Sequence, residues 1–168
     1  NDTLLSANIV FLGEPEVAVD YEYYVNADGK TVTVTKYLGS TDDWITVPEK
    51  INGYAVTTLG TGLFANRSDI SVVVLSEGIT TVEAGAFDNC IGLGAILFSS
   101  TVEYIGEGAF KNCRNLYSAT IPEKVTEIPD SAFENCTTLE YIETHNKITV
   151  FGDRAFYNCP KMVLSAAG

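Results

Sequence analysis

Positive charge is scarce in this sequence: ten lysines and arginines stand against 22 aspartates and glutamates, giving a formal net charge of -12 and a pI near 4.3. Such a surface repels phosphate backbones and anionic bilayers, and no local basic cluster offers an exception, so nucleic acid is not an expected partner. Long apolar runs are missing too. Stretches such as Ile9 to Leu12 and Val72 to Leu75 fall far short of the roughly 20 residues that a spanning helix needs, so no membrane span is expected. There is no Cys-x-x-Cys and no histidine pair for zinc, and neither Asp42-Asp43 nor the Asn26 to Gly29 loop has the alternating oxygen ligands of a calcium loop. No metal or cofactor is expected. The chain begins at Asn1 instead of Met, which fits an upstream segment removed by a signal peptidase or by truncation.

What is present is a repeat. The 168 residues are one domain's worth of chain, 46% hydrophobic and able to bury a core. A step of 23 residues leads from Phe64 to Phe87, Phe110, Phe133 and Phe156 without a gap, and likewise from Asn66 to Asn89, Asn112, Asn135 and Asn158. The same stride joins Cys90, Cys113, Cys136 and Cys159. It also joins Ile70 to Leu93, Leu116, Leu139 and Met162, and Leu59 to Val82, Ile105, Ile128 and Phe151. A period this regular means a solenoid of stacked coils.

Read in order, residues 1 to 40 form an N-terminal cap. It has an apolar patch at Ile9 to Leu12, then two β-rich stretches, Tyr21 to Val25 and Thr31 to Tyr37, around the turn signal Asp28-Gly29. That pattern predicts a β-hairpin covering the first coil. Residues 41 to 168 are the solenoid, with about five coils. Each later coil reads as a short strand (Val72 to Leu75, Ala95 to Phe98, Ser118 to Ile121, Tyr141 to Thr144), a turn and a second extended piece ending at Val82, Ile105, Ile128 or Phe151. A corner before Ala-Phe follows, where Asp130 and Asp153 are suited to cap a single helical turn. The fold class is therefore an α/β solenoid with short parallel strands, short helical or 3-10 turns and a hairpin cap.

The columns have physical reasons. Stacked Phe rings bury large apolar area and fix the coil spacing. The Asn column is expected to point inward, its amide satisfied by backbone groups of its own and the next coil. On that reading the sequons Asn66-Arg67-Ser68 and Asn135-Cys136-Thr137 are inaccessible to glycosylation. Coils stacked about 4.8 Å apart hold equivalent Cβ atoms wider than the ~3.8 Å a disulfide prefers, so four buried free thiols are expected. The first coil carries Arg67 in the Cys place.

The segment Leu116 to Cys136 resembles the leucine-rich repeat of the BspA-like bacterial surface proteins, whose unit runs roughly Leu-x-x-Ile-x-Ile-Pro-x-x-Val-x-x-Ile-Gly-x-x-Ala-Phe-x-Asn-Cys. The resemblance extends from about Trp44 to Met162, with departures at Pro129, Leu63 and Arg67, and the lead-in Tyr23-Tyr24 and Tyr37-Leu38-Gly39 matches it as well. It implies a right-handed leucine-rich repeat superhelix. It also implies an exported or cell-surface adhesion or interaction module of a host-associated bacterium, with a protein partner such as a host matrix or surface protein.

In such a coil the outward strand positions line a concave face. Here one column runs Trp44, Val72, Ala95, Ser118, Tyr141 and the next Thr46, Val74, Leu97, Thr120, Glu143. The early half is apolar and the late half polar and acidic. Trp44, Val72, Val74, Leu97, Thr120, Tyr141 and Glu143 are the candidate binding residues, Glu140, Tyr141 and Glu143 favouring a basic partner. Alternatively the hairpin folds over Trp44 and Val72. A second function class is a spacer or display unit that self-associates through the C-terminal coil edge. A third, remote one is a polysaccharide-acting enzyme built on Glu140, Glu143, His145 and Tyr117. Against it, the two carboxylates read as a solvated rim, the lone His as incidental, and no activated nucleophile is recognisable.

Overall fold

The structure is a computed structural model that describes residues 3–5, 20–39 and 43–166. The expected apolar patch at Ile9 to Leu12 and the Asp42 position lie outside the described residues. Strands follow one another as β1 (Thr3–Leu5), β2 (Tyr21–Val25), β3 (Thr31–Tyr37), β4 (Trp44–Val47), β5 (Lys50–Ile51) and β6 (Tyr54–Leu59). Then come β7 (Val72–Leu75), β8 (Thr81–Val82), β9 (Ala95–Leu97), β10 (Tyr104–Ile105), β11 (Ser118–Thr120), β12 (Glu127–Ile128), β13 (Tyr141–Thr144), β14 (Val150–Phe151) and β15 (Val163–Ala166). One sheet has six parallel strands in the order β15-β13-β11-β9-β7-β4. Six strands thus flank five Phe turns, because β4 precedes the first turn and β15 follows the last.

The second side of the coils carries a sheet ordered β1-β2-β3-β6-β8-β10, with β5 beside β6. Strands β2 and β3 pair antiparallel across a turn in which the Asp28 carboxylate accepts the Lys30 and Thr31 N–H groups at 2.8 and 2.9 Å and Gly29 takes φ +67°. Strand β3 then runs parallel beside β6. Asn52 and Gly53 close a tight hairpin between β5 and β6. Asn52 and Gly53 both have positive φ, as an Asn-Gly hairpin turn requires.

This sheet stops at β10, and β12 and β14 form a separate two-stranded pair. Gly60, Glu83, Gly106 and Gly152 each donate their N–H to the preceding coil or hairpin, at Val34, Leu59, Val82 and Ile128. Pro129 occupies the same column between Gly106 and Gly152. It has no N–H to give to Ile105, and the ladder breaks there.

The turns at Ala-Phe are not helical, contrary to expectation. In residues 62–67 the N–H groups alternate. Gly62, Phe64 and Asn66 donate to Ala84, Ala86 and Asp88 of the next coil, whereas Leu63, Ala65 and Arg67 donate to the residue three back in their own. A helix would keep all of these bonds inside one segment. Each turn also has two left-handed residues four apart, Gly62 and Asn66 in the first and Arg154 and Asn158 in the last, which no right-handed helix accommodates. Asp130 accordingly does not cap a helix; its carboxylate accepts the Asp153 N–H of the next coil at 2.7 Å.

The same geometry corrects the Asn column. Asn66, Asn89 and Asn158 are exposed and Asn112 and Asn135 half-buried, so none points into the core. All five have φ between 57° and 64°, a region Asn tolerates better than other side chains with a Cβ. Their amides form a surface ladder: Asn89 Nδ2 donates to Asn66 Oδ1 at 2.9 Å, Asn135 to Asn112 at 2.8 Å and Asn158 to Asn135 at 3.1 Å. Asn66 is therefore accessible, and burial is no ground for discounting its sequon.

The Phe rings form a continuous stack, with centroids 5.1, 5.0, 5.3 and 5.5 Å apart from Phe64 to Phe156. Tyr37 and Tyr21 continue it into the hairpin. Beside this stack each Cys thiol donates to the Phe carbonyl of the coil before: Cys90 to Phe64, Cys113 to Phe87, Cys136 to Phe110, Cys159 to Phe133. The first turn has no earlier Phe turn to receive such a bond. Arg67 stands there instead, reaching the Gly39 carbonyl at 3.0 Å, forking onto Asp69 at 2.7 Å and lying 5.2 Å from the Tyr37 ring.

Candidate binding face

The strands of the six-stranded sheet alternate, and the alternation decides which side chains meet solvent. Ile45, Val47, Val73, Leu75, Ile96, Ala119 and Ile142 are buried in the core. Register places the complementary residues in two outward columns: Trp44, Val72, Ala95, Ser118, Tyr141 and Val163 in one, Thr46, Val74, Leu97, Thr120, Glu143 and Ser165 in the other. Trp44 is 63% exposed, Leu97 46% and Tyr141 48%; Val72 and Val74 are partly covered, while Thr120 and Glu143 are exposed. The described hairpin belongs to the opposite sheet, so it does not lie over Trp44 in the way the alternative reading required.

Residues Ala95 to Ser100 and Ser118 to Lys124 line an open depression of about 790 Å³ along this face. Outside this depression, at the late end of the face, the Tyr117 and Tyr141 rings meet edge to face, 5.7 Å apart at 68°. The Tyr117 hydroxyl donates to Glu140 at 3.1 Å, and this bond to a carboxylate pushes the phenol pKa up. Thr120 donates to Glu143, also at 3.1 Å. Val163 extends the exposed apolar area of this face, a part that the sequence reading passed over, whereas Leu164, in register with the buried Ile142, belongs to the inward column. Tyr141 pairs with Val163, 22 residues on, whereas Ser118 pairs with Tyr141 at 23, so the last strand has slipped by one position from the column count.

The grouping that could imitate a catalytic site is otherwise engaged. His145 Nε2 lies 2.8 Å from the Pro122 carbonyl, and Nδ1 accepts the Lys147 N–H at 3.2 Å. Both bonds are satisfied when the proton sits on Nε2, which makes His145 a clasp between two turns. Burial pushes the Cys90 thiol up to about 12 and the Cys113 thiol well above its usual value, so neither is an activated nucleophile. Glu134 is the buried carboxylate that the sequence reading missed. It pairs with Arg154 at 2.7 Å and Lys111 at 3.6 Å, and its bond to Arg154, with one from Ser131, lowers its pKa to about 2. The signal was available: an acidic residue one place after Phe, in a column with Lys111, and Arg154 in the next coil.

The family model for the BspA-type leucine-rich repeat region matches residues 45–163 in six copies. The chain belongs to this family. A leucine-rich cell surface protein of Faecalibacterium prausnitzii is similar in structure at TM-score 0.61 and 25% identity, over 92% of this chain and 55% of that one. A leucine-rich repeat protein of Bacteroides capillosus is similar at TM-score 0.58 and 26% identity, over 80% and 94%. The pneumococcal vaccine antigen PcpA shares the fold at TM-score 0.69 and 17% identity, over 98% and 50%. This repeat chain spans about half the length of the first and last of these. No curated protein matches it. Among the described residues, no helix is long and apolar enough to cross a membrane.

Proposed function

We propose that this leucine-rich repeat chain is a non-catalytic protein-binding module, secreted or displayed at a bacterial surface, that docks a partner on the outward face of its six-stranded sheet. The observation that carries the reading is Trp44, a large apolar side chain 63% exposed at the head of a column that also presents Tyr141 and, one column over, Leu97. An exposed apolar patch with a polar rim is the usual form of an interaction surface, and aromatic anchors supply most of the energy in such contacts. Surface location is supported by the F. prausnitzii relative, itself described as a cell surface protein. A host protein of serum or matrix is the partner class we favour, with the hairpin covering the first coil. The test is capture of partners from serum and matrix protein arrays by the wild type and by Trp44→Ala and Tyr141→Ala. Capture that survives both substitutions refutes the face.

One observation favours a second reading, self-association through the last described coil. Phe151 is 52% exposed, whereas its column mates Leu59, Val82, Ile105 and Ile128 are buried. A mass that stays monomeric in light scattering at high concentration would count against it.

A further inference from the structure

Twice in this molecule an arginine is held by one tyrosine ring and one carboxylate together. Arg67 lies 5.2 Å from the Tyr37 ring and forks onto Asp69 at 2.7 Å. Arg154 lies 4.0 Å from the Tyr157 ring and forks onto Glu134 at 3.3 and 2.7 Å. The late end of the binding face has the same ingredients with the cation missing. Tyr117 and Tyr141 present two half-exposed rings at a steep angle, with Glu140 and Glu143 beside them. Each of these carboxylates accepts one hydroxyl through Oε2, and among the described residues no lysine, arginine or histidine pairs with either. By contrast Glu103, Glu123 and Glu134 each have a cationic partner.

We infer that the Tyr117–Tyr141 corner with Glu140 and Glu143 takes an arginine side chain from an extended protein segment whose apolar side chain, about six residues away, sits on Trp44. This rests on the reading of the face as a protein-binding surface. A guanidinium is the fitting group because it stacks on an aromatic face and forks onto a carboxylate at once, which the point charge of a lysine does less well. The spacing follows from the sheet. Trp44 and Tyr141 are four strand steps apart in register. At about 4.8 Å per step that is roughly 19 Å, which an extended chain crosses in about six residues at about 3.3 Å each. The net charge of -12 adds a long-range attraction for a basic segment.

The test is a phage selection of random twelve-residue peptides on the full chain, repeated on Tyr141→Ala, Glu143→Gln and Trp44→Ala. All three substitutions are at exposed positions, so the fold is retained. The expected result is enrichment of peptides with an arginine five to seven positions from an aliphatic or aromatic residue, lost on all three variants. In a synthetic copy, replacing the arginine by the uncharged isostere citrulline should weaken binding about tenfold. Peptides that depend on Trp44 but carry no arginine, or bind equally with citrulline, overturn the inference while leaving the protein-binding face standing. Absence of any Trp44-dependent enrichment ends both.

Discussion

The ring of Tyr37 lies 5.7 Å from that of Phe64, so the aromatic column of the coils begins in the hairpin. From there the rings run on through Phe110, which is buried and stacked on both faces, to Phe156, which is partly open. Replacing Phe110 by Ala removes both stacks and leaves a cavity closed on all sides, a loss of about 3 to 5 kcal/mol for a buried phenylalanine. Phe156→Ala should cost clearly less. Urea denaturation of the two variants checks the order, and equal midpoints would contradict a column whose strength lies in its interior.

Asn112 separates two roles of the amide column. Its φ of 61° favours Asn or Gly, and its side chain accepts from Asn135 at 2.8 Å and donates to Asp88 at 3.2 Å. Asn112→Gly keeps the backbone and loses the bonds, whereas Asn112→Ala loses both, with an added penalty of about 1 to 2 kcal/mol for the left-handed conformation. Thermal melts should therefore rank wild type above Gly and Gly above Ala.

The thiols should titrate unequally with an aromatic disulfide reagent. Cys90, Cys113 and Cys136 are buried, and burial raises the pKa values of Cys90 and Cys113, while Cys159 is only half-buried. One thiol should react in the native protein and the other three only after unfolding. Four fast thiols would mean that the coils open readily.

Acid should weaken the last coils through Glu134. Its pKa in the fold is about 2, below the ordinary 4.5, so the stability it contributes is whole above about pH 4.5 and drains away as the pH falls towards 2. Glu134→Gln should flatten the pH dependence of unfolding in that window. A slope unchanged by the substitution would show that other carboxylates carry it.

The in-phase columns made the stacked architecture legible, because a gapless step from Phe64 to Phe156 forces equivalent positions to lie over one another. The Asn column misled because sequence gives a residue's phase along the chain but not its φ, and a left-handed Asn on the rim repeats as regularly as a buried one. The helical turns failed for a related reason: Asp130 has the chemistry of a cap, yet the N–H nearest its carboxylate belongs to the next coil. For the candidate site, phase sufficed to put Trp44, Leu97 and Tyr141 on one face. Whether the hairpin lay across them was a tertiary fact, settled by the pairing of β3 with β6. The one-residue slip before Val163 hid the far end of the face.

Trp44 is the sole tryptophan, so its emission reports on the proposed face alone. Titrating the chain with a partner captured from serum or matrix, or with a selected peptide, while following acrylamide quenching is the most direct test. The account predicts a blue shift and a loss of quencher access that saturate together with binding. Binding that leaves Trp44 as accessible as it is in the free chain would contradict it.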